Sequence, residues 1–452
     1  MSSAGFSFSP DRLRTLASDA LAHARAKGAT ACEVDISEGF GQTVGVRRGA
    51  VDTIEYNRDK GFGITVYAGQ QRGHASSSDF SPAALQATVE AALSIARFTA
   101  ADPFAGLPDA DRLARDVADL DLFHPWALGV EQAIELAQEC EAAAFAVSPQ
   151  ISNSEGASVS TQQNQFVKLN SDGFAGGYAT SYHGLSCSVI AGEGDAMQRE
   201  YWYDSRRQAE RLDSAASIGR RAGERALARL GARKIATTEA PVLFEAPLAA
   251  SLIGSLVQAT SGGALYRKAS FLLDSAGTQV MAPLVTIREQ PHLPGEFGCT
   301  RFDDEGVATA PRDVVLDGML QGYFLSSYSA RKLGLPTTAN AGGAHRLIVE
   351  PTVRGKQGVG ALPALLRQMG RGLLVTELLG HGINIVNGDY SRGAAGFWVE
   401  NGEIAYPVEE ITIAGNLAEM FRSIVAIGDD TLPRSARQCG SILIERMTIA
   451  GN

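Results

Sequence analysis

The chain is predicted to be an α+β protein, with N-terminal helices packed on antiparallel sheet and a mainly antiparallel β domain with a few helices at its C-terminal end. Three observations predict this. The pairs Ser9-Pro10 and Ser81-Pro82 each place a capping side chain before a residue preset for the first helical turn. Between and after them, apolar and polar residues alternate with the period of a half-buried strand. Forty-nine glycines among 452 residues supply the tight connections that such strands need.

In chain order, Ser9-Pro10 starts a first helix and Lys27-Gly28 ends it. CEVDIS, QTVGVRR, VDTIEYN, FGITVYA and RGHASSS follow as strands of a meander with one buried face, with RRGA and NRDKG as turns. A second helix runs from Ser81-Pro82 to about Arg97, before the break DPFAGLPDAD. The pattern then recurs: a helix over about 130–147, strands within 151–203, and a long helix over about 207–230. YNRDKGFG (56–63) and LNSDGFAG (169–176) read as similar corners, which suggests an internal duplication. Independent turn chemistry of Asn, Asp and Gly would give the same likeness. Beyond about residue 240, the apolar run LAASLIGSLVQA reads as a helix. VVLDGMLQGYFL and FWVENGEIAYPV read as hairpins turning at Asp317-Gly318 and Asn401-Gly402. PRDVVLDG and ILIERMTIAG supply further strands. The length calls for two or three domains, here 1–108, 109–235 and 236–452.

Charge narrows the function classes. A net charge of −10 repels phosphate backbones and argues against nucleic-acid binding. The most basic stretch, residues 206–233, interleaves acids with arginines at helical spacing and reads as a solvated helix face. Five scattered cysteines without a C-x-x-C pair fit reduced thiols. MSSAGFSFSPDRLR has neither the basic nor the apolar region of an export signal, and no apolar run reaches spanning length. A cytoplasmic protein that contacts no membrane is therefore expected.

A protease-type zinc helix needs a Glu beside one of two histidines. The residues after the seven histidines are Ala24, Ala75, Pro125, Gly184, Leu293, Arg346 and Gly382, so no H-E-x-x-H exists. Glu377 and His381 are four apart, but Gly380 and Gly382 argue against a helix there, leaving a turn histidine. Ser261 in ATSGG lacks the first glycine of a nucleophile elbow and reads as a helix-ending residue. Cys299, with His292 near in sequence, reads as a buried thiol. RGKQG (354–358) lacks the hydroxyl that a P-loop sets on Mg²⁺, and GFGQTVG (39–45) leads into a strand; both read as turns. The chain has the size of an enzyme subunit without a self-contained catalytic set.

Four stretches carry a resemblance: LLVTELLGHGINIVNGDYSRGAAGFWVENGEIAYPVEEITIAGNL (373–417), SGGALYRKASFLLDSAG (261–277), EVDISEGFGQTVGVRRGAVDTIEYNRDKGFGITVY (33–67) and the ending GSILIERMTIAG. They resemble the PmbA (TldE) branch of the TldD/PmbA family over nearly the whole chain. The resemblance implies a cytoplasmic zinc metalloprotease built as a heteromer of two chain types, clipping peptide precursors and degrading small unfolded proteins. TldD-type chains carry His-Glu, three residues, then His on a helix, with a later Cys ligand. Matched to that helix, Gly254 and Ser255 fall at the His-Glu pair and Ala259 at the second His. Cys439 lies near the region of the thiol ligand. The resemblance thus implies no catalytic residue and no metal in this chain, zinc in a TldD-type partner, an unfolded peptide as substrate, and possible self-association. Residues 383–397 are read as cleft scaffold or subunit interface, because glycine-rich strands let another backbone approach. His381, Asp389, Tyr390 and Arg392 are the candidate contacts; a β turn with an Asp389–Arg392 salt bridge is the alternative.

Overall fold

The computed structural model describes residues 5–356 and 360–451. Residues 1–4 and Gln357-Gly358 of RGKQG lie outside the described residues. The first half comprises α1 (Pro10–Ala26), β1 (Ala31–Arg47), β2 (Ala50–Ala68), β3 (Gln71–Ser77) and α2 (Pro82–Phe98). It continues with α3 (Val130–Phe145), β4 (Ile151–Asn170), β5 (Ala175–Ala191), β6 (Gln198–Arg206) and α4 (Ala215–Ala228). Both Ser-Pro pairs act as expected: Ser9 Oγ accepts from Arg12 N–H and Ser81 Oγ from Ala84 N–H.

The six strands form one sheet in the order β3-β2-β1-β4-β5-β6. Segments 1–108 and 109–235 thus contribute three strands each to a single layer. Side chains alternate across it: Val34, Ile36, Val44 and Val46 of β1 all point to the helix-covered face. α1 and α2 cover one end of that face, and α3 and α4 the other.

Two sequence expectations are corrected here. CEVDIS and QTVGVRR are one strand, as are VDTIEYN and FGITVYA, so five segments make three strands. Neither GFG nor NRDKG turns; they pair with each other, with Gly39 opposite Asp59 and Gly41 opposite Asn57. Gly41 is small because a Cβ there would lie 2.4 Å from the Thr161 carbonyl oxygen of β4. The 56–63 segment is therefore no corner, whereas 169–176 is the true β4–β5 turn. The strand order is nonetheless the same in both halves. The long helix is also shorter than expected: Ala209–Arg211 forms a separate single turn, and Ser214 caps α4.

The second half begins with β7 (Thr238–Phe244), α5 (Ala246–Ala259), α6 (Gly262–Tyr266), β8 (Ile287–Glu289), β9 (Arg312–Leu316) and β10 (Met319–Leu320). α7 (Ser327–Leu333), β11 (Leu347–Val349), α8 (Leu362–Met369), β12 (Gly372–Leu379), β13 (Asp389–Glu400) and β14 (Glu403–Asn416) follow. α9 (Leu417–Arg422), β15 (Ile424–Ile427), β16 (Arg437–Gln438) and β17 (Ile442–Ala450) complete it. One sheet runs β14-β13-β12-β7-β17-β15 and a smaller one β10-β9-β8-β11-β16. Both two-residue hairpins form as read, with Asp317, Gly318, Asn401 and Gly402 all at positive φ.

The halves are bound by charge. Arg225 Nη1 lies 2.7 Å from Glu245 and Arg229 Nη1 3.0 Å from Glu377, while both arginines reach Glu200 of β6. Burial opposes the charge on Arg225, but the two carboxylates outweigh it and hold the guanidinium above its ordinary value. The basic stretch is therefore only partly a solvated face: two of its arginines are interior, and their partners lie far off in sequence.

Candidate functional site

α5 carries the three positions at issue. Pro247 sits in its first turn, and the helix buries Ala249, Leu252, Ile253, Leu256 and Ala259. Gly254 lies beneath the Arg437 guanidinium; a Cβ at 254 would stand 3.1 Å from Arg437 Nη1. Ser255 is buried and donates its hydroxyl to the Ser251 carbonyl of its own helix at 3.3 Å. Ala259 is fully buried. Hydrogen, a committed hydroxyl and a methyl cannot bind zinc, and a cation already fills the space over the first of them. Cys439 is buried too, donating its thiol to the Gly440 carbonyl at 3.2 Å. Burial, then Asp430, pushes that thiol far above its ordinary range, opposite to what a thiolate ligand needs. These residues do not fit a zinc site.

The glycine-rich stretch serves several ends. Glu377 is bound to Arg229, and His381 is exposed in the loop before β13. Asp389 is exposed and accepts from Asn387 Nδ2 at 2.7 Å; no Asp389–Arg392 salt bridge forms among the described residues. Tyr390 is 2% exposed and packs edge-on against Phe244. Burial pushes its hydroxyl up to about 12, with Arg392 beside it in opposition. Tyr390 therefore offers no surface to a peptide. Ser261 does not end a helix; it caps α6, accepting from Ala264 N–H. Cys299 donates to the Gln290 carbonyl, while His292 engages Thr309, so the two form no dyad.

A wide opening lies elsewhere. The polar face of β1–β3, opposite the helices, looks across a cleft of about 1670 Å³ toward α7 and the Asp304-Glu305 corner, with the 99–106 linker along one side. A pocket of about 240 Å³ adjoins it and shares Asp35, Lys168 and Asp304. The same alternation that buries Val34 and Ile36 turns Glu33, Asp35 and Ser37 into this space. Lys168 Nζ bridges Glu33 at 3.9 Å and Asp35 at 3.5 Å. Burial raises the pKa of Glu33; Lys168 opposes that and Glu305 adds to it. On the far wall, Tyr328 donates to Asp102 at 2.7 Å and Lys332 stands 3.3 Å from the same carboxylate. Hydroxyls, glycines and charges of both signs line the cleft, which suits an extended polar chain better than one apolar ligand. Sequence reading missed it, although the polar half of the strand alternation signalled a second, wet face. Among the described residues, no three His, Cys, Asp or Glu side chains are grouped to hold a metal ion.

Comparison with known proteins gives one consistent likeness. Models of the PmbA/TldA metallopeptidase domain 1, central domain and C-terminal domain match residues 32–96, 123–230 and 237–451. The chain is 48% identical to metalloprotease PmbA of Escherichia coli O157:H7, over 95% of this chain and 94% of that one. It is 46% identical to a PmbA homolog of Haemophilus influenzae, over 97% and 96% of the two chains. A TldD homolog of the same organism is 25% identical over 84% of this chain and 82% of its own. Among solved structures, a protein described as a modulator of DNA gyrase from Bacteroides thetaiotaomicron superposes with a TM-score of 0.92. It is 27% identical, covering 98% of this chain and 100% of its own. TldE from Thermococcus kodakarensis shares the fold at a TM-score of 0.83 and 20% identity, covering 96% and 100%.

Proposed function

The chain belongs to the PmbA/TldD metallopeptidase family, and from that premise we propose that it is the subunit without zinc in a two-chain cytoplasmic metallopeptidase acting on unfolded peptides. A TldD-type chain supplies the metal and its activated water; this chain supplies substrate-binding surface and closure. The observation that carries the reading is α5, where Gly254 and Ala259 carry no donor atom, the Ser255 hydroxyl is committed to the Ser251 carbonyl, and Arg437 covers the first of the three positions. The wide polar cleft supports the substrate class, because an unfolded peptide presents backbone amides that Ser, Thr and charged side chains can satisfy whatever the sequence.

The test is a cleavage assay on an unstructured peptide with this chain alone, a TldD-type chain alone, and both together. The expected outcome is no turnover by this chain alone and chelator-sensitive turnover by the pair above that of the TldD-type chain. Chelator-sensitive cleavage by this chain alone would overturn the proposal. Tight peptide binding with no gain in cleavage on mixing would instead identify a binding or assembly module without a proteolytic role.

A further inference from the structure

The small pocket beside the cleft has an apolar side and a polar side. Phe166, Tyr178 and Phe302 make the apolar side, with ring centroids 4.6 Å apart for Phe166–Tyr178 and 6.1 Å for Phe166–Phe302, both edge-to-face. Tyr178 is fixed further by its hydroxyl, which donates to Thr300 at 3.1 Å. The polar side comes from the Asp303-Asp304 corner and the 341–345 loop. Backbone pins these two together: Asp304 N–H donates to the Ala341 carbonyl, and Asp303 accepts from Ala341 N–H at 3.0 Å. Gly342 stands at a φ of 89°, and a side chain there would collide with the Asp304 carboxylate.

Two groups in this pocket lack partners. His345 is 9% exposed and its Nε2 donates to the Ala339 carbonyl at 2.7 Å, so in the neutral ring Nδ1 is an acceptor. That nitrogen meets no donor among the described residues. The Asp304 carboxylate has Asp35, Lys168 and His345 within electrostatic reach, but no hydrogen-bond or ion-pair partner among the described residues. Everything else is engaged. Asp303 accepts from the backbone N–H groups of Glu305, Val307 and Ala341. Lys168 lies between Glu33 and Asp35, and Arg207 donates to the Ser181 and Glu296 carbonyls. Three carboxylates thus face two cations that are already committed.

A free lone pair and a free carboxylate, in a pocket with an excess of negative charge, call for a positively charged donor. A metal ion does not fit, since no three ligating side chains are grouped among the described residues. The volume of about 240 Å³ falls below the roughly 300–1,000 Å³ of a site enclosing a whole small ligand, so it suits one side chain. We propose that this pocket is a subsite for a lysine side chain of the bound peptide. Its methylenes lie along Phe166, Tyr178 and Phe302, and its ammonium donates to His345 Nδ1 and to Asp304. An ammonium meets two acceptors on separate segments with separate N–H bonds, whereas a planar guanidinium is matched to one carboxylate side-on. The assignment rests on the peptide-substrate reading above and names a preference within it.

The test is fluorescence anisotropy of a labelled, N-acetylated glycine-serine peptide with one central lysine, or norleucine in its place. Each is titrated with the full-length chain alone and with its mixture with a TldD-type chain. The lysine peptide should bind about tenfold tighter than the norleucine peptide, the yield of hydrogen bonds to charged groups. Asp304→Asn should bring the two affinities within about twofold, and Asp304→Lys, which places an ammonium of the chain's own at the pocket, should abolish the preference. Equal affinity of the wild type for both peptides, or a lysine preference that Asp304→Asn leaves intact, would overturn the subsite and leave the peptide reading standing. Binding of neither peptide, by the chain or by the mixture, would defeat both. A lysine-free peptide that binds more tightly with a free N-terminus than with an acetylated one would give the pocket to chain ends, and would overturn the lysine assignment.

Discussion

Arg229 shows what a single buried charge does in this molecule. Its guanidinium is 4% exposed and sits between Glu200 and Glu377, one from each half of the chain. Replacing it with Met leaves Glu200 interior with one cation fewer, and a broken buried pair costs about 3–5 kcal/mol. Urea denaturation of Arg229→Met should show that loss, and adding Glu200→Gln should return part of it; a change below about 1 kcal/mol would refute the accounting. His183 makes a second residue-scale case. It is fully buried, with Nδ1 2.9 Å from Thr161 Oγ1 and Nε2 2.8 Å from the His124 carbonyl, so the neutral ring donates from Nε2. Burial holds its pKa below the ordinary 6.5. The unfolded chain therefore takes up the proton first, and the stabilising contribution, intact above 6.5, is lost as pH falls toward the folded value. Melting temperatures of the wild type and His183→Gln should converge between about pH 7 and pH 5, the wild type falling more steeply. Parallel curves would show that His183 does not titrate with unfolding.

Helix and strand contacts define the next scale. α4 crosses α3 so closely that a Cβ on Gly219 would lie 1.8 Å from the Cys140 carbonyl oxygen. Neither backbone can yield locally, so Gly219→Ala should separate the helices and cost about 1–3 kcal/mol. Arg220→Ala, exposed on the same helix, should stay within about 0.5 kcal/mol, and equal melting temperatures for the two would remove the argument. Which elements were legible in the sequence follows from the range of the signal. Ser9-Pro10, Ser81-Pro82, Asp317-Gly318 and Asn401-Gly402 act on their own neighbours, and all four turned out as read. NRDKG has the same turn chemistry but lies against β1, and the ladder with residues 37–41 overrides it. Arg225 and Arg229 read as surface because Glu245 and Glu377 are remote in the chain. The α5 positions could be located from the resemblance, but the Arg437 guanidinium over Gly254 could not, since it arrives from β16. The cleft was half visible, as the polar side of an alternation whose apolar side was used to find the strands.

Taken whole, the molecule is divided by sequence pattern into three segments, yet its contacts cross every boundary. The linker after α2 runs along the second half: Leu113 bridges Val307, Ala114 N–H donates to the Gly306 carbonyl, and Arg331 reaches Asp109. Small apolar clusters are built from both halves, one from Leu113, Phe174 and Phe302, another from Leu120, Leu122 and Cys299. Separating the halves would bare these side chains and strand Arg225, Arg229 and Glu200 with part of their charge unmatched. The cost on each side is that of several exposed large apolar groups, about 1.5–3 kcal/mol apiece, together with a broken buried ion network. A half that must bear this alone has little stability left, since a domain retains only about 5–15 kcal/mol in total. The full chain should therefore melt as one calorimetric transition, and residues 1–235 expressed alone should bind a hydrophobic dye and unfold without a sharp endotherm. Two resolved transitions, or a fragment that melts sharply by itself, would mean that the shared clusters and the arginine network contribute far less than their burial indicates.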